Sequence, residues 1–188
     1  MAGATIQWLR DGLGMISDAR EVEGLAESVP TTDGVMFVPA FTGLGAPHWN
    51  PYARASITGL TRGSTKSHIA RAALEGIALQ NVDILQAMEK DLGSKLKMLK
   101  VDGGACKNNL LMQMQSDFLG CTVRRPVFTE ATSLGAVFAA GMGAGIWASF
   151  EDIKRVWKLD REFKPLVSDS ARQAKLAEWD KGVRQLIY

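Results

Sequence analysis

Apolar positions change their spacing several times along the chain, and each change marks an element. Ile6, Trp8 and Leu9, then Leu13 and Ile16, fall at helical intervals and predict an opening helix whose second half is weakened by Gly12 and Gly14. Residues 28–34 are turn-rich. Residues 35–38 form a short apolar run between Gly34 and Pro39, which predicts a buried strand. An aperiodic loop follows over residues 40–54, then a second strand over 55–59. Residues 64–90 form the clearest helix, with Ile69, Ala73, Ile77, Ile84 and Met88 in helical register and Ser64 or Ser67 placed to cap its start. Residues 97–101 alternate as a strand does. Gly103-Gly104 then turns the chain into a helix near residues 108–119, and residues 122–124 give a short strand closed by Pro126. A helix of small residues spans 133–144. Ser149, with Asp152 three positions on, resembles a capping box, and residues 168–186 read as a closing amphipathic helix. Strands alternating with helices define an α/β chain without internal repeat, low-complexity segment or linker. Its 188 residues fit one domain or slightly more.

Charge narrows the partners. With 22 basic against 20 acidic residues spread along the chain, nothing calls for nucleic acid or an anionic membrane surface. The one tight basic pair, Arg124 and Arg125, reads as a solvated strand edge. Cys106 and Cys121 stand apart from each other and from His48 and His68, so no disulfide framework or protein-built metal site is expected, and a reducing, cytoplasmic setting is the default. The N-terminus lacks the basic-then-apolar pattern of a signal peptide. Residues 131–150 carry no charge and are long enough to span a bilayer, with Gly141 and Gly145 at the spacing of a membrane dimer motif. Their Gly- and Ala-rich make-up gives only modest hydrophobicity, so a tightly packed core helix is expected instead.

Three segments carry candidate chemistry. In Val101-Asp102-Gly103-Gly104-Ala105 a buried strand runs into a double glycine and then a helix. Glycine allows a sharp turn and a close ligand approach, and the helix that follows would offer unpaired N–H groups suited to a phosphate. Asp102 could orient a magnesium-bound water or cap the helix, and Asn108 lies within reach of an adenine or a ribose. The pattern lacks the third glycine of the dinucleotide fingerprint, and by itself such a pattern is more often a plain tight turn. The second segment, residues 41–51, is rich in glycine, proline and aromatics. It reads as a functional loop or as an Ω-loop packed by its own side chains. The third, residues 55–75, passes from a strand through a polar turn into a helix. His68 there is a first-turn residue rather than a base, because no nucleophile or carboxylate stands beside it in sequence.

Together these segments resemble the FGGY carbohydrate kinases, and among them the glycerol kinases. Residues 55–75 fit the family's C-terminal signature throughout. The loop Gly43-Leu44-Gly45-Ala46-Pro47 with Trp49 is similar to the glycerol kinase version, where relatives acting on xylulose or gluconate carry a Gly-Glu-Arg-type loop. Val101 to Ala105, with Asn108-Asn109 and then Gln113, Gln115, Ser116 and Asp117, is similar to glycerol kinases too. The likeness runs from Ala2-Gly3 to about Pro165 and thins in the tail. It implies a ribonuclease-H-like domain of the actin-like ATPase superfamily, a mixed sheet flanked by helices. In the whole enzyme two such domains enclose a cleft, with ATP mainly on the second and glycerol mainly on the first.

On this resemblance residues 1–188 are the C-terminal, nucleotide-binding half, and the N-terminal substrate domain is absent. Gly3 and Gln7 match nucleotide-contacting positions, and Gly104 and Asn108 match the others on this half. The family's catalytic aspartate, and the arginine, glutamate, tryptophan and tyrosine that hold glycerol, precede the matched region. No catalytic residue and no metal ligand is therefore expected here, and Met1 reads as an internal methionine or an artificial start. The implied reaction is ATP plus glycerol giving glycerol 3-phosphate and ADP with Mg²⁺, in a cytoplasmic homo-oligomer. The isolated chain is expected to bind nucleotide weakly and to catalyse nothing. Two other readings compete: a stand-alone nucleotide-binding or interaction module, and a Rossmann-type oxidoreductase. The missing third glycine and the lack of a following acidic residue argue against the second.

Overall fold

The computed structural model describes residues 2–187. Helix α1 (Ala2–Asp11) stops where Gly12 and the positive-φ Gly14 turn the chain. A short helix, α2 (Glu21–Glu27), follows; the apolar pattern gave no sign of it, because only Val22 and Ala26 are buried. Strands β1 (Met36–Val38) and β2 (Ser56–Thr58) pair antiparallel as a small sheet, with Phe37 opposite Ile57.

Helix α3 (Lys66–Leu92) is the spine, 27 residues and about 40 Å long. It meets β1 at backbone contact, since a Cβ on Gly76 would lie 2.1 Å from the Phe37 carbonyl oxygen. Its cap is Thr65, neither Ser64 nor Ser67. The Thr65 N–H donates to His68 Nδ1 at 3.1 Å, which gives His68 the first-turn role expected of it. Ser64 instead accepts the Thr61 N–H, and Ser67 pairs with Ser28. Periodicity placed Ile84 and Met88 on the core face, yet they are 40% and 51% exposed. The buried stretch of α3 ends at Val82, beyond which the helix outruns the elements it packs on.

A three-stranded mixed sheet holds the second half. Strand β3 (Met98–Lys100) lies parallel to β4 (Thr122–Pro126), and β4 is antiparallel to β5 (Leu159–Phe163). Between β3 and β4 run a single 3₁₀ turn (Gly104–Lys107) and helix α4 (Asn109–Leu119), which packs on α3. The strand β5 was not predicted, because its charged Asp160-Arg161-Glu162 centre hides the pattern. Arg124 and Arg125 are no solvated edge. They lie on the central strand, where Arg124 meets Glu162 at 2.6 Å and Arg125 meets Asp160 at 2.7 Å.

The uncharged stretch forms α5 (Ala131–Gly143), turns at positive-φ Gly145 and ends where the charged helix α6 (Phe150–Val156) begins. Ser149 and Asp152 form the expected capping box. No helix among the described residues is long and apolar enough to cross a membrane. The expected burial of α5 fails, however: only Gly141 in it is buried, Val137 is exposed, and so are Ile146 and Phe150 beyond its end. Its small residues fit it for close packing, but no element among the described residues covers its outer face.

The chain closes with α7 (Asp169–Arg184), capped by Ser168. Its buried Trp179 donates from Nε1 to Asp83 Oδ2 at 2.8 Å, and Lys175 reaches Glu75 at 3.3 Å, so two ties fix α7 to α3. Burial raises the Asp83 carboxyl above its ordinary range, against the lowering effect of the bonds from Trp179 and His48. Cys106 and Cys121 are both free and buried, and burial raises both thiols.

Candidate functional site

The site grows from the end of β3. Beyond the strand, Val101 N–H donates to Arg124 O on β4 and Gly103 N–H to Thr129 O past the end of β4, which ties the backbone down up to the double glycine. Gly103 then takes φ 81°, a left-handed conformation costly for any residue with a side chain. Gly104 opens the 3₁₀ turn, and buried Cys106 anchors that turn to the core. Arg125 braces it from the sheet side, donating from Nη1 to Cys106 O at 2.9 Å and to Asn109 Oδ1 at 3.1 Å.

The start of α4 differs from the expected open, phosphate-ready helix end. Asn108 caps it, its Oδ1 accepting the Leu111 N–H at 2.7 Å. Glu23 on α2 accepts the N–H groups of Asn109 at 2.7 Å and Leu110 at 3.0 Å. The next amide, Met112, donates to Asn108 O. The free amides have moved upstream: those of Gly104 and Ala105 donate to no acceptor among the described residues.

A cavity of about 530 Å³ lies over this turn. Ile6, Val22, Leu74 and Leu111 give it an apolar floor, while Asp102, Glu23, Arg20 and Lys107 supply charge around it. Gly3 on α1 and Gly104 both form part of its wall. A Cβ added at either would meet nothing within 4 Å, so protein packing does not account for glycine at these positions.

Three of the four sequence-chosen residues, Gly3, Gly104 and Asn108, line this one cavity although they come from distant parts of the chain. Gln7 does not. It is exposed one turn further along α1 and, after Arg10, helps to hold the Asp11 carboxyl below its ordinary range. Asp102 is exposed at the cavity and forms no hydrogen bond among the described residues, so it does not cap the helix. Sequence reasoning missed Glu23 and Arg125. Both act across long sequence distances, where neither periodicity nor a local motif leaves a trace.

The glycine-rich loop resolves differently. Leu44 and Asn50 pair backbone to backbone in both directions, and Asn50 Oδ1 accepts two further amides, so the loop folds on itself. Gly43 is needed there, since its Cβ would lie 2.7 Å from Asn50 O. His48 Nε2 lies 3.4 Å from Asp83 Oδ2 and ties the loop to α3. None of the loop lines the cavity over the double glycine.

Comparison with known proteins sets this geometry in context. The C-terminal domain of the FGGY family of carbohydrate kinases matches residues 1–144. A glycerol kinase of Bdellovibrio bacteriovorus is 58% identical over 186 residues, covering 99% of this chain and 38% of the relative. The crystal structure of Plasmodium falciparum glycerol kinase with ADP superposes with a TM-score of 0.90 at 39% identity, over 100% of this chain and 37% of that one. Gluconate kinase from Lactobacillus acidophilus shares the fold, with a TM-score of 0.80 at 22% identity over 98% of this chain and 38% of that one. The chain thus spans little more than a third of the length of the relatives it matches. With three quarters of its residues inside the family's C-terminal domain and an α/β fold of the actin-like ATPase type, the chain belongs to the FGGY family of carbohydrate kinases.

Proposed function

We propose that this chain is the nucleotide-binding half of an ATP-dependent glycerol kinase, in which the γ-phosphoryl of ATP passes to glycerol and leaves glycerol 3-phosphate and ADP. One observation carries the reading. Gly3 and Gly104, which no packing requires, line one cavity with an apolar floor and two unpaired amides. A flat apolar base fits the floor, and the amides of Gly104 and Ala105 fit an anionic phosphate chain. Glycerol as the acceptor is supported by the names of the relatives more than half identical to this chain.

Magnesium fits the residues present. Mg²⁺ binds through one or two carboxylates together with phosphate oxygens and waters, and Asp102 offers one unpaired carboxylate at the cavity. When bound, the ion neutralises charge on the phosphates. Among the described residues no cluster of three or more metal-ligating side chains exists, so the ion would arrive with the nucleotide.

Phosphoryl transfer is mostly positioning and charge stabilisation, and both need a second wall to the cleft. On the family resemblance, the catalytic aspartate and the glycerol-holding side chains belong to the part of the relatives' length that this chain does not span. The uncovered apolar face of α5 supports that division, because it fits a partner surface of the same polypeptide. A cytoplasmic location and a homo-oligomeric state go with the reading. Calorimetric titration of Mg-ADP into the chain tests the nucleotide site and should show weak binding. An assay of glycerol-dependent ATP turnover tests the division of labour. Turnover by this chain alone at a kinase-like rate, about 1–100 s⁻¹, would overturn it.

A further inference from the structure

An acidic side chain occupies the corner where the cavity meets α4. Glu23 is half-buried, and one oxygen, Oε1, satisfies the amides of Asn109 and Leu110 across 86 and 87 positions of sequence. Asn108 takes the Leu111 amide, so the first turn of α4 has no N–H left for an anion. The carboxylate also repels one. What this corner presents is a donor beside an acceptor: the Asn108 side-chain NH₂, with its oxygen fixed by Leu111, and the second oxygen of the Glu23 carboxylate. Neither atom has a partner among the described residues, and both side chains line the cavity. Such a pair suits the hydroxyls or ring nitrogens of a nucleoside and not a phosphate.

We propose that Glu23 is a positioning residue for the nucleoside end of the ligand, holding the start of α4 so that Asn108 faces the cavity in one orientation. The role rests on the nucleotide reading above. It needs the acceptor oxygen of Glu23 and acts at a distance from the phosphate-facing amides of Gly104 and Ala105.

The test is binding of adenosine and of Mg-ADP to the chain, to Glu23→Ala and to Glu23→Gln, by calorimetry and by amide NMR. Glu23→Ala should weaken both ligands by a similar factor, about tenfold for a lost hydrogen-bonded corner. Glu23→Gln keeps one oxygen for the Asn109 and Leu110 amides, which is all that holding α4 requires, and should return to within about threefold of the parent. In Glu23→Ala, Mg-ADP should still move the Gly104 amide signal, and adenosine should move the Asn108 side-chain amide only at about tenfold higher concentration. A general loss of structure would abolish both signals together, and that result would overturn the proposal. So would an unchanged Glu23→Ala, a loss confined to Mg-ADP, or a Glu23→Gln as weak as the alanine variant. If the parent binds neither ligand, the nucleotide reading itself fails, and the role of Glu23 goes with it.

Discussion

Replacing Gly104 by valine separates the site from the fold. Gly103 is the wrong place to probe, because its φ of 81° would add backbone strain to any effect on a ligand. Gly104 has no such conformation, and a Cβ there meets nothing within 4 Å. The substitution should therefore leave the fold near neutral. Loss of glycine freedom in the unfolded chain is worth about 0.4–1 kcal/mol in favour of folding. At about 2–4 °C per kcal/mol for a chain of this size, the melting temperature should stay within about 4 °C of the parent. Binding should respond very differently. The valine branches stand in the approach to the amides of Gly104 and Ala105. A hydrogen bond to a charged group is worth about 1.5–3 kcal/mol, so losing both bonds costs about 3 kcal/mol or more. That corresponds to at least about a hundredfold rise in Kd for Mg-ADP. Calorimetry and a thermal melt on the same samples decide the matter. Unchanged affinity would show that the turn is not where phosphate sits. A fall in melting temperature of several degrees together with lost binding would show that glycine serves the fold, and the assignment of the cavity would lose its main support.

Substitutions at two further positions probe what sequence did not reveal. Arg125→Ala removes the brace under the double-glycine turn and should cost about 2 kcal/mol in denaturant unfolding and weaken Mg-ADP binding. Arg125→Lys should not restore either, because one ammonium cannot serve Asp160, Cys106 O and Asn109 together, and full rescue by lysine would refute this account. Asp83→Ala leaves the buried Trp179 N–H unpaired and should cost about 1–3 kcal/mol, while Asp83→Asn keeps an acceptor and should cost less. The Asp83 carboxyl is raised by burial, so the folded chain holds its proton more tightly than the unfolded one. Its contribution to stability is complete below the unfolded value, about pH 4, and is lost as pH rises through the raised native value. The stability of Asp83→Asn relative to the parent should therefore increase across that window. A difference that is flat or falls with pH, in unfolding titrations at several pH values, would contradict the assignment.

Legibility in the sequence followed the range of the interaction. The strand at residues 35–38, the long helix and the double-glycine turn depend on neighbours within a few positions, and each is plain in the pattern of apolar residues and glycines. The helix α2 escaped notice because seven residues with two buried side chains carry too little periodicity. The strand β5 escaped because its charges are neutralised by Arg124 and Arg125 on β4, a pairing no local window contains. The burial of α5 was misjudged for a different reason. Small, uncharged residues state that a helix can be approached closely, but they do not state which polypeptide approaches it. In the cavity, Gly3, Gly104 and Asn108 were found by resemblance and brought together by the fold. Glu23 lies 86 positions from the amide it satisfies, and nothing near it in sequence announces the task.

The two ties between α7 and α3 turn sequence distance into time. Asp83 must wait for Trp179, 96 positions later, before its buried carboxylate finds the indole N–H. Glu75 waits likewise for Lys175. While the chain is still on the ribosome, its longest helix can form from local hydrogen bonds, but two of its acidic groups remain without their final partners. Commitment to the native arrangement is thus deferred until α7 has left the exit tunnel. A nascent chain cut short before Lys175 would keep a hydrated, unlatched spine open to proteases and chaperones.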